Sequence, residues 1–258
     1  MGKIISVHSF RGGTGKSNMT SNLAAQAAMQ GFRAAVVDTD IQSPGIHVLF
    51  GLDESHMGHT LNEYLRGECT LQDVAHRVGT DNASGPGCKQ LADKSLWLIP
   101  SSINGLEISR VLKEGYDVNL LNRGLNSLVK ELKLDFLFID THPGLNEETL
   151  LSIAISDILI IILRPDQQDF QGTAVTVDIA RSLDVPCLYL VVNKALTRYD
   201  FDQMKKTIEK SYSAPVAAIL PLNEDMIDLG SSDLFSLRFP DHPWSKGLRE
   251  IAKIVVSC

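Results

Sequence analysis

Seven runs of nearly uninterrupted apolar residues recur along the chain, at Ile4–His8, Ala34–Asp38, Leu96–Pro100, Phe136–Asp140, Ile158–Leu163, Leu188–Asn193 and Val216–Leu220. Each has the length of one strand and none alternates polar with apolar, so each must be covered on both faces. Between them lie helix-like stretches: Ser17–Gln30 ending at Gly31, Leu120–Leu132, Glu147–Ile155, Gly172–Leu183 and Asp202–Ser211. Parallel neighbours need a crossover, and a helix is the usual one. The pattern predicts an α/β fold, a doubly wound, mostly parallel sheet of about seven strands with helices on both faces. The 258 residues, 44% of them hydrophobic, suffice for one large core, and a single domain over 1–258 is expected. Thr80–Lys89, with Asp81, Asn82, Gly85, Pro86 and Gly87, lacks a pattern for regular structure and reads as a surface loop.

The first loop of this pattern carries the strongest chemical signal. Val7 to Asn22 reads V-H-S-F-R-G-G-T-G-K-S-N-M-T-S-N, a glycine-rich turn ending in lysine between the first strand and the first helix. Gly12, Gly13, Thr14 and Gly15 offer backbone N–H groups that converge on an anion. Lys16 adds a point charge, and Ser17, with Asn18 beside it, offers a hydroxyl to Mg²⁺ where the helix dipole favours negative charge. A nucleoside triphosphate with Mg²⁺ is the ligand that suits this cradle. The spacing departs from the ordinary phosphate loop, G-x-x-x-x-G-K-[ST], because Phe10 stands where the first glycine would be.

This variant resembles the deviant Walker A motif of the ParA/MinD family of dimerising ATPases, with Arg11 in the place of the family's signature lysine. Three further segments fall at predicted strand ends, where ligands gather in open α/β sheets. Val36-Val37-Asp38-Thr39-Asp40 is similar to the family's switch I, in which the first aspartate supports the phosphate-loop region and the second orients the attacking water. Phosphoryl transfer needs little covalent help beyond an aligned water and charge stabilisation, so Asp40 joins Lys16 and Arg11 as a catalytic candidate. Leu134 to Gly144 resembles Walker B with switch II: Asp140 would hold Mg²⁺ together with Ser17, and Gly144 would present a backbone N–H to the γ-phosphate. His142 departs from the commoner small or polar residue and reads as switch-loop packing ahead of a general base. In Val191-Val192-Asn193-Lys194 the asparagine resembles the adenine-recognising residue, and Ile219 to Asn223, with Pro221, resembles the loop lying along the base. Leu196 fills the place of the aspartate in the guanine-binding N-K-x-D, which favours ATP over GTP.

The resemblance implies an ATP-dependent homodimer, slow hydrolysis and an ATPase-stimulating partner protein, with an output in positioning DNA, the division site, a flagellum or a protein compartment. In the family the signature lysine reaches across the dimer to the partner's phosphates. A guanidinium has five donors in a rigid fork and suits phosphate, but it is larger than an ammonium. Three outcomes are therefore open for Arg11: a working finger, a slow hydrolase with a long-lived dimer, or a nucleotide binder that barely turns over. Retention of Lys16, Ser17, Asp40 and Asp140 favours the first two. Rival readings are a metabolic enzyme passing phosphate to a small molecule and a non-hydrolysing scaffold glued by ATP.

The net charge of −7 argues against a surface that is basic overall. Non-specific DNA binding would depend on a local patch such as Lys206 and Lys210, which Asp200, Asp202 and Glu209 dilute. Near the end, Leu248, Ile251, Ala252 and Val255 form a stripe at helical spacing. It is expected to pack on the sheet and not to anchor a membrane, since the only basic residues with it are Lys246, Arg249 and Lys253. Cys69, Cys88, Cys187 and Cys258 are spread out, with no C-x-x-C pair, so no zinc or iron–sulfur site is expected. The first residues run straight into a strand, and no apolar run approaches the roughly 20 residues that span a bilayer. A cytoplasmic chain with reduced thiols is the expectation.

Overall fold

The computed structural model describes residues 2–80 and 85–258. Among the described residues eight strands, β1 (Lys3–His8), β2 (Ala34–Asp38), β3 (His76–Arg77), β4 (Leu96–Ile99), β5 (Phe136–Asp140), β6 (Ile158–Leu163), β7 (Cys187–Ala195) and β8 (Val216–Pro221), form one sheet. Their order is β3-β4-β2-β5-β1-β6-β7-β8, with every pairing parallel except β3 with β4. Seven of them are the apolar runs, to within two residues. The eighth, β3, is a two-residue antiparallel edge too short to leave a pattern in the chain. β1 lies between β5 and β6 while β2 lies beyond β5, so the winding reverses at β1 and opens a crevice at its carboxyl end.

Alternate residues of one strand feed different cores. In β6, Ile158, Ile160 and Ile162 join the core under the helices Lys16–Met29 and Pro243–Ser257, while Leu159, Ile161 and Leu163 join the core on the opposite face. All six are buried, which is why the run shows no polar alternation.

Several helices begin where a side chain satisfies their free N–H groups. Asp166 accepts from Gln168 and Asp169, which starts Gln167–Ser182 five residues before the expected position. Asn146 and Thr149 form a reciprocal capping box at Glu147–Ala154. Val118–Glu131 and Phe201–Tyr212 match the expected helices. Gly105–Glu114 was not among the expected helices, although Ile108, Val111 and Leu112 recur on it at helical spacing; of its residues Val111 is buried.

The terminal helix starts with Pro243 behind His242, whose Nδ1 accepts from Trp244 N–H at 3.0 Å. Leu248, Ile251, Ala252 and Val255 are all buried, so the stripe packs on the sheet as expected. Among the described residues no helix is long and apolar enough to cross a membrane, and no group of three or more His, Cys, Asp and Glu is placed to hold a metal ion.

Two expectations need correction. Of the proposed surface loop, Asp81–Ser84 lie outside the described residues, but Gly85, Gly87 and Cys88 are buried, and the Gly87 N–H donates to both carboxylate oxygens of Asp233 at 2.9 Å. The thiols are also not all free. Cys187, opening β7, is joined to Cys258 by a disulfide across a sequence separation of 71 residues, leaving Cys69 and Cys88 free. The terminal helix runs back along the sheet to the start of β7, a meeting that linear spacing conceals.

Leu248→Ala is expected to lower the unfolding free energy by about 2–5 kcal/mol, seen as a lower urea midpoint with an unchanged slope.

Candidate functional site

The loop between β1 and the first helix holds the crevice. Gly13 and Gly15 have φ of 76° and 99°, in the left-handed region open to glycine. Gly15 is also confined, because a Cβ there would lie 2.6 Å from Asn193 Nδ2. No side chain caps the helix Lys16–Met29, and its first turn carries no acidic residue, so its amides are left for an anionic ligand. β7 clamps the loop from one side: Asn193 Nδ2 donates to the Thr14 carbonyl at 2.8 Å, and Lys194 Nζ donates to the Gly13 carbonyl at 2.7 Å. Lys194 does so from a left-handed backbone, φ 59°. The sequence reading named Asn193 for the base and passed over Lys194; no local signal marked that lysine as a loop clamp.

The acidic residues meet at neighbouring strand ends. Asp38 and Asp140 are register partners on β2 and β5, and both are buried. Asp38 is committed to its own loop: Oδ1 accepts from Asp40 N–H at 3.1 Å, and Oδ2 accepts from Gly45 and Ile46 at 3.0 and 3.2 Å. Asp140 Oδ1 lies 3.2 Å from the Thr20 hydroxyl, with Lys16 and Ser17 beside it. Burial, reinforced by the charge of Asp140, pushes the Asp38 carboxyl up to about 8; burial raises Asp140 to about 6 against the pull of Lys16 and Ser17. Two adjacent buried carboxylates call for a cation, and Asp140, bonded to hydroxyls only, has acceptor capacity to spare. The residues present fit Mg²⁺ at Ser17 and Asp140.

Asp40 lies at the cavity wall, where Oδ1 accepts from Ser43 N–H at 3.1 Å and from His142 Nδ1 at 2.7 Å. His142 is thus bonded across to the other loop, and the packing role expected for it is incomplete. Gly144 has φ 84°, and its N–H donates to the Ser9 carbonyl at 3.1 Å. Arg11 is exposed at the lip of the loop.

Two adjoining cavities share Gly15, Asn18 and Ser231. The larger, about 500 Å³, holds the phosphate loop, Asp40 and His142. The smaller, about 190 Å³, lies between Asn193, Pro221, Asn223, Ile227 and Trp244. Ser231 joins them from a left-handed backbone, φ 58°, with its hydroxyl 3.3 Å from Asn18 Nδ2. The proportions suit a wider, more open phosphate site beside a smaller, more enclosed site for a base.

Residues 2–184 match the AAA domain family. The chain belongs to that family, and its fold is that of the MinD and ParA ATPases. It is 25% identical over 249 residues to an uncharacterised ATP-binding protein of Methanocaldococcus jannaschii, covering 96% of this chain and 85% of that one. Its fold is that of the cell division ATPase MinD of Pyrococcus furiosus, with TM-score 0.82, 21% identity and coverage of 100% of this chain and 99% of the other. The septum site-determining protein MinD of Pyrococcus horikoshii, solved with Mg-ADP, superposes with TM-score 0.81 at 20% identity, covering 99% and 96%.

Against the MinD/ParA pattern, Phe10 finds its room at Gly172, in the helix that follows β6. A Cβ on Gly172 would lie 2.1 Å from Phe10 Cδ1 and 2.7 Å from Phe10 Cβ. The aromatic ring therefore fastens the start of the phosphate loop to that helix, directly before Arg11. Gly172→Ala is expected to lower the melting temperature of the parent and to cost little in a Phe10→Gly background, as a double-mutant cycle would read.

His8 closes the floor of the crevice. The Thr141 hydroxyl lies 3.1 Å from the Val7 carbonyl and spends its hydrogen there, so His8 Nδ1, 2.8 Å from Thr141 Oγ1, is the donor between them. Nε2 is then a buried acceptor with no partner among the described residues. Burial, followed by the charge of Lys16, lowers the His8 pKa from 6.5 to about 3. Because the folded value is the lower one, stability is complete above pH 6.5 and falls as the unfolded chain takes up the proton between 6.5 and about 3. In that window this residue costs at most about 1.4 kcal/mol per pH unit, and His8→Asn is expected to flatten the fall in urea titrations.

Proposed function

We propose that the chain is an ATP- and Mg²⁺-dependent dimerisation switch with slow ATP hydrolysis, a single cytoplasmic domain serving intracellular positioning or partitioning. The observation that carries this reading is the convergence of Lys16, Asp40 and Asp140 on the phosphate loop at the carboxyl ends of β1, β2 and β5, beside a cavity of base dimensions. The Mg-ADP in the Pyrococcus horikoshii relative and the cell-division role in the name of the Pyrococcus furiosus one support it.

In this reading the amides of Gly12 to Ser17 and the Lys16 ammonium bind the phosphates. Asn193, Pro221 and Asn223 bound the adenine. Asp40 holds the attacking water by one hydrogen and aims its oxygen at the γ-phosphorus; the bond from that phosphorus to the bridging oxygen breaks, ADP leaves and inorganic phosphate forms. Mg²⁺, held through Ser17 and Asp140, would neutralise charge on the phosphate oxygens. Gly144 reaches the γ-phosphate by giving up its bond to Ser9. Arg11, exposed beside the cavity, reaches the phosphates of a second copy, so that ATP joins the two chains; a partner protein stimulates turnover. The terminal stripe is occupied in the core, which disfavours membrane anchoring, and the exposed Lys206 and Lys210 leave weak contact with DNA as the secondary option.

Sedimentation of Asp40→Ala with ATP·Mg²⁺, and separately with ADP, tests the switch. The expected result is a dimer with ATP only, turnover reduced at least about 10²-fold, and loss of the dimer on adding Arg11→Ala. A monomer in both nucleotides, with ATP bound, would refute the switch and favour transfer to a small molecule.

A further inference from the structure

His142 follows β5 and Asp40 follows β2, yet their side chains meet across the crevice with Nδ1 2.7 Å from Oδ1. Both line the phosphate cavity, and both are mostly shielded, with side chains 21% and 13% exposed. A carboxylate oxygen only accepts, so the imidazole carries its hydrogen on Nδ1. Asp40 Oδ1 also accepts from Ser43 N–H, so this oxygen is held by one bond within its own loop and one from the opposite loop. Among the described residues Oδ2 has no protein partner within hydrogen-bond distance.

We infer that His142 is a positioning residue for hydrolysis, its Nδ1–H fixing the Asp40 carboxylate so that the free oxygen stands ready for the attacking water. The inference rests on the reading of Asp40 as the water-orienting group. A lone aspartate on a loop samples several rotamers, and the fraction of time spent aligned limits the rate. A bond to an ionised acceptor is about twice as strong as a neutral one, and here it anchors one loop to the other as well as fixing the rotamer. The family pattern places a small or polar residue at this position; this chain supplies a ring whose donor reaches Asp40. The ring acts through Asp40 and needs no contact with the nucleotide.

The test is ATP turnover by the full chain and by His142→Ala, His142→Asn, Asp40→Ala and the double variant. Asparagine places an amide N–H close to where imidazole Nδ1 lies. The expected result is about a 10-fold lower kcat for His142→Ala with KM and melting temperature little changed, most of it restored by His142→Asn. Adding His142→Ala to Asp40→Ala should cost nothing more. An unchanged kcat, a rise in KM alone, no rescue by asparagine, or an equal loss with and without Asp40 would overturn the role.

Long-range proton–nitrogen spectra of the imidazole give a readout that needs no turnover. The Nδ1–H form should dominate in the parent and lose its preference in Asp40→Ala; indifference to that substitution overturns the pairing. A parent that turns over no ATP overturns the hydrolase reading and the positioning role with it, while the spectra still decide whether His142 holds Asp40.

Discussion

A parallel sheet buried on both faces offers chemistry only at its ends, and the rest of this molecule follows from that constraint. The interiors of β2, β5 and β6 are apolar, and the polar groups that gather around the glycine-rich loop sit at or near carboxyl ends. Reversal of the winding at β1 brings the ends of β2, β5, β1 and β7 around one loop. Asp38, Asp140, His8 and Asn193 are therefore neighbours although far apart in the chain. Their burial is forced by the helices on either face, and it makes their charges costly and useful together.

The division of labour among these groups is set by their hydrogen bonds. Asp38 spends its lone pairs on its own loop, which leaves Asp140 as the carboxylate with room for a cation. Lys16 crosses the same space, and His8 beneath it stays neutral, so positive charge is not doubled where phosphate charge must be met. The loop itself is tied through carbonyls, by Asn193 and Lys194, which leaves its N–H groups available. A loop fixed by its acceptors and open by its donors is preorganised for an anion.

Much of this was legible in the chain. Double-sided burial leaves continuous apolar runs, so seven strands could be read directly, and the glycine-rich loop and the polar residues near strand ends drew attention to Lys16, Asp40, Asp140 and Asn193. What escaped depends on contacts between distant segments. The Lys194 clamp, the use of the Gly144 N–H by Ser9 and the bond between His142 and Asp40 have no local period or spacing. The disulfide of Cys187 with Cys258 escaped for the same reason, and β3 because two residues carry no pattern. The Gly105–Glu114 helix is a different case: Ile108, Val111 and Leu112 recur at helical spacing, so its signal lies in the chain although the expectation omitted it.

Ser231 belongs to both cavities and leans on Asn18 at the ridge between them. A base alone or a phosphate alone would touch one side of that ridge, whereas an intact nucleotide has to pass over it. In the proposed reading, a nucleotide filling both cavities spans Gly15, Asn18 and Ser231, so the site would respond to ligand length as well as to charge.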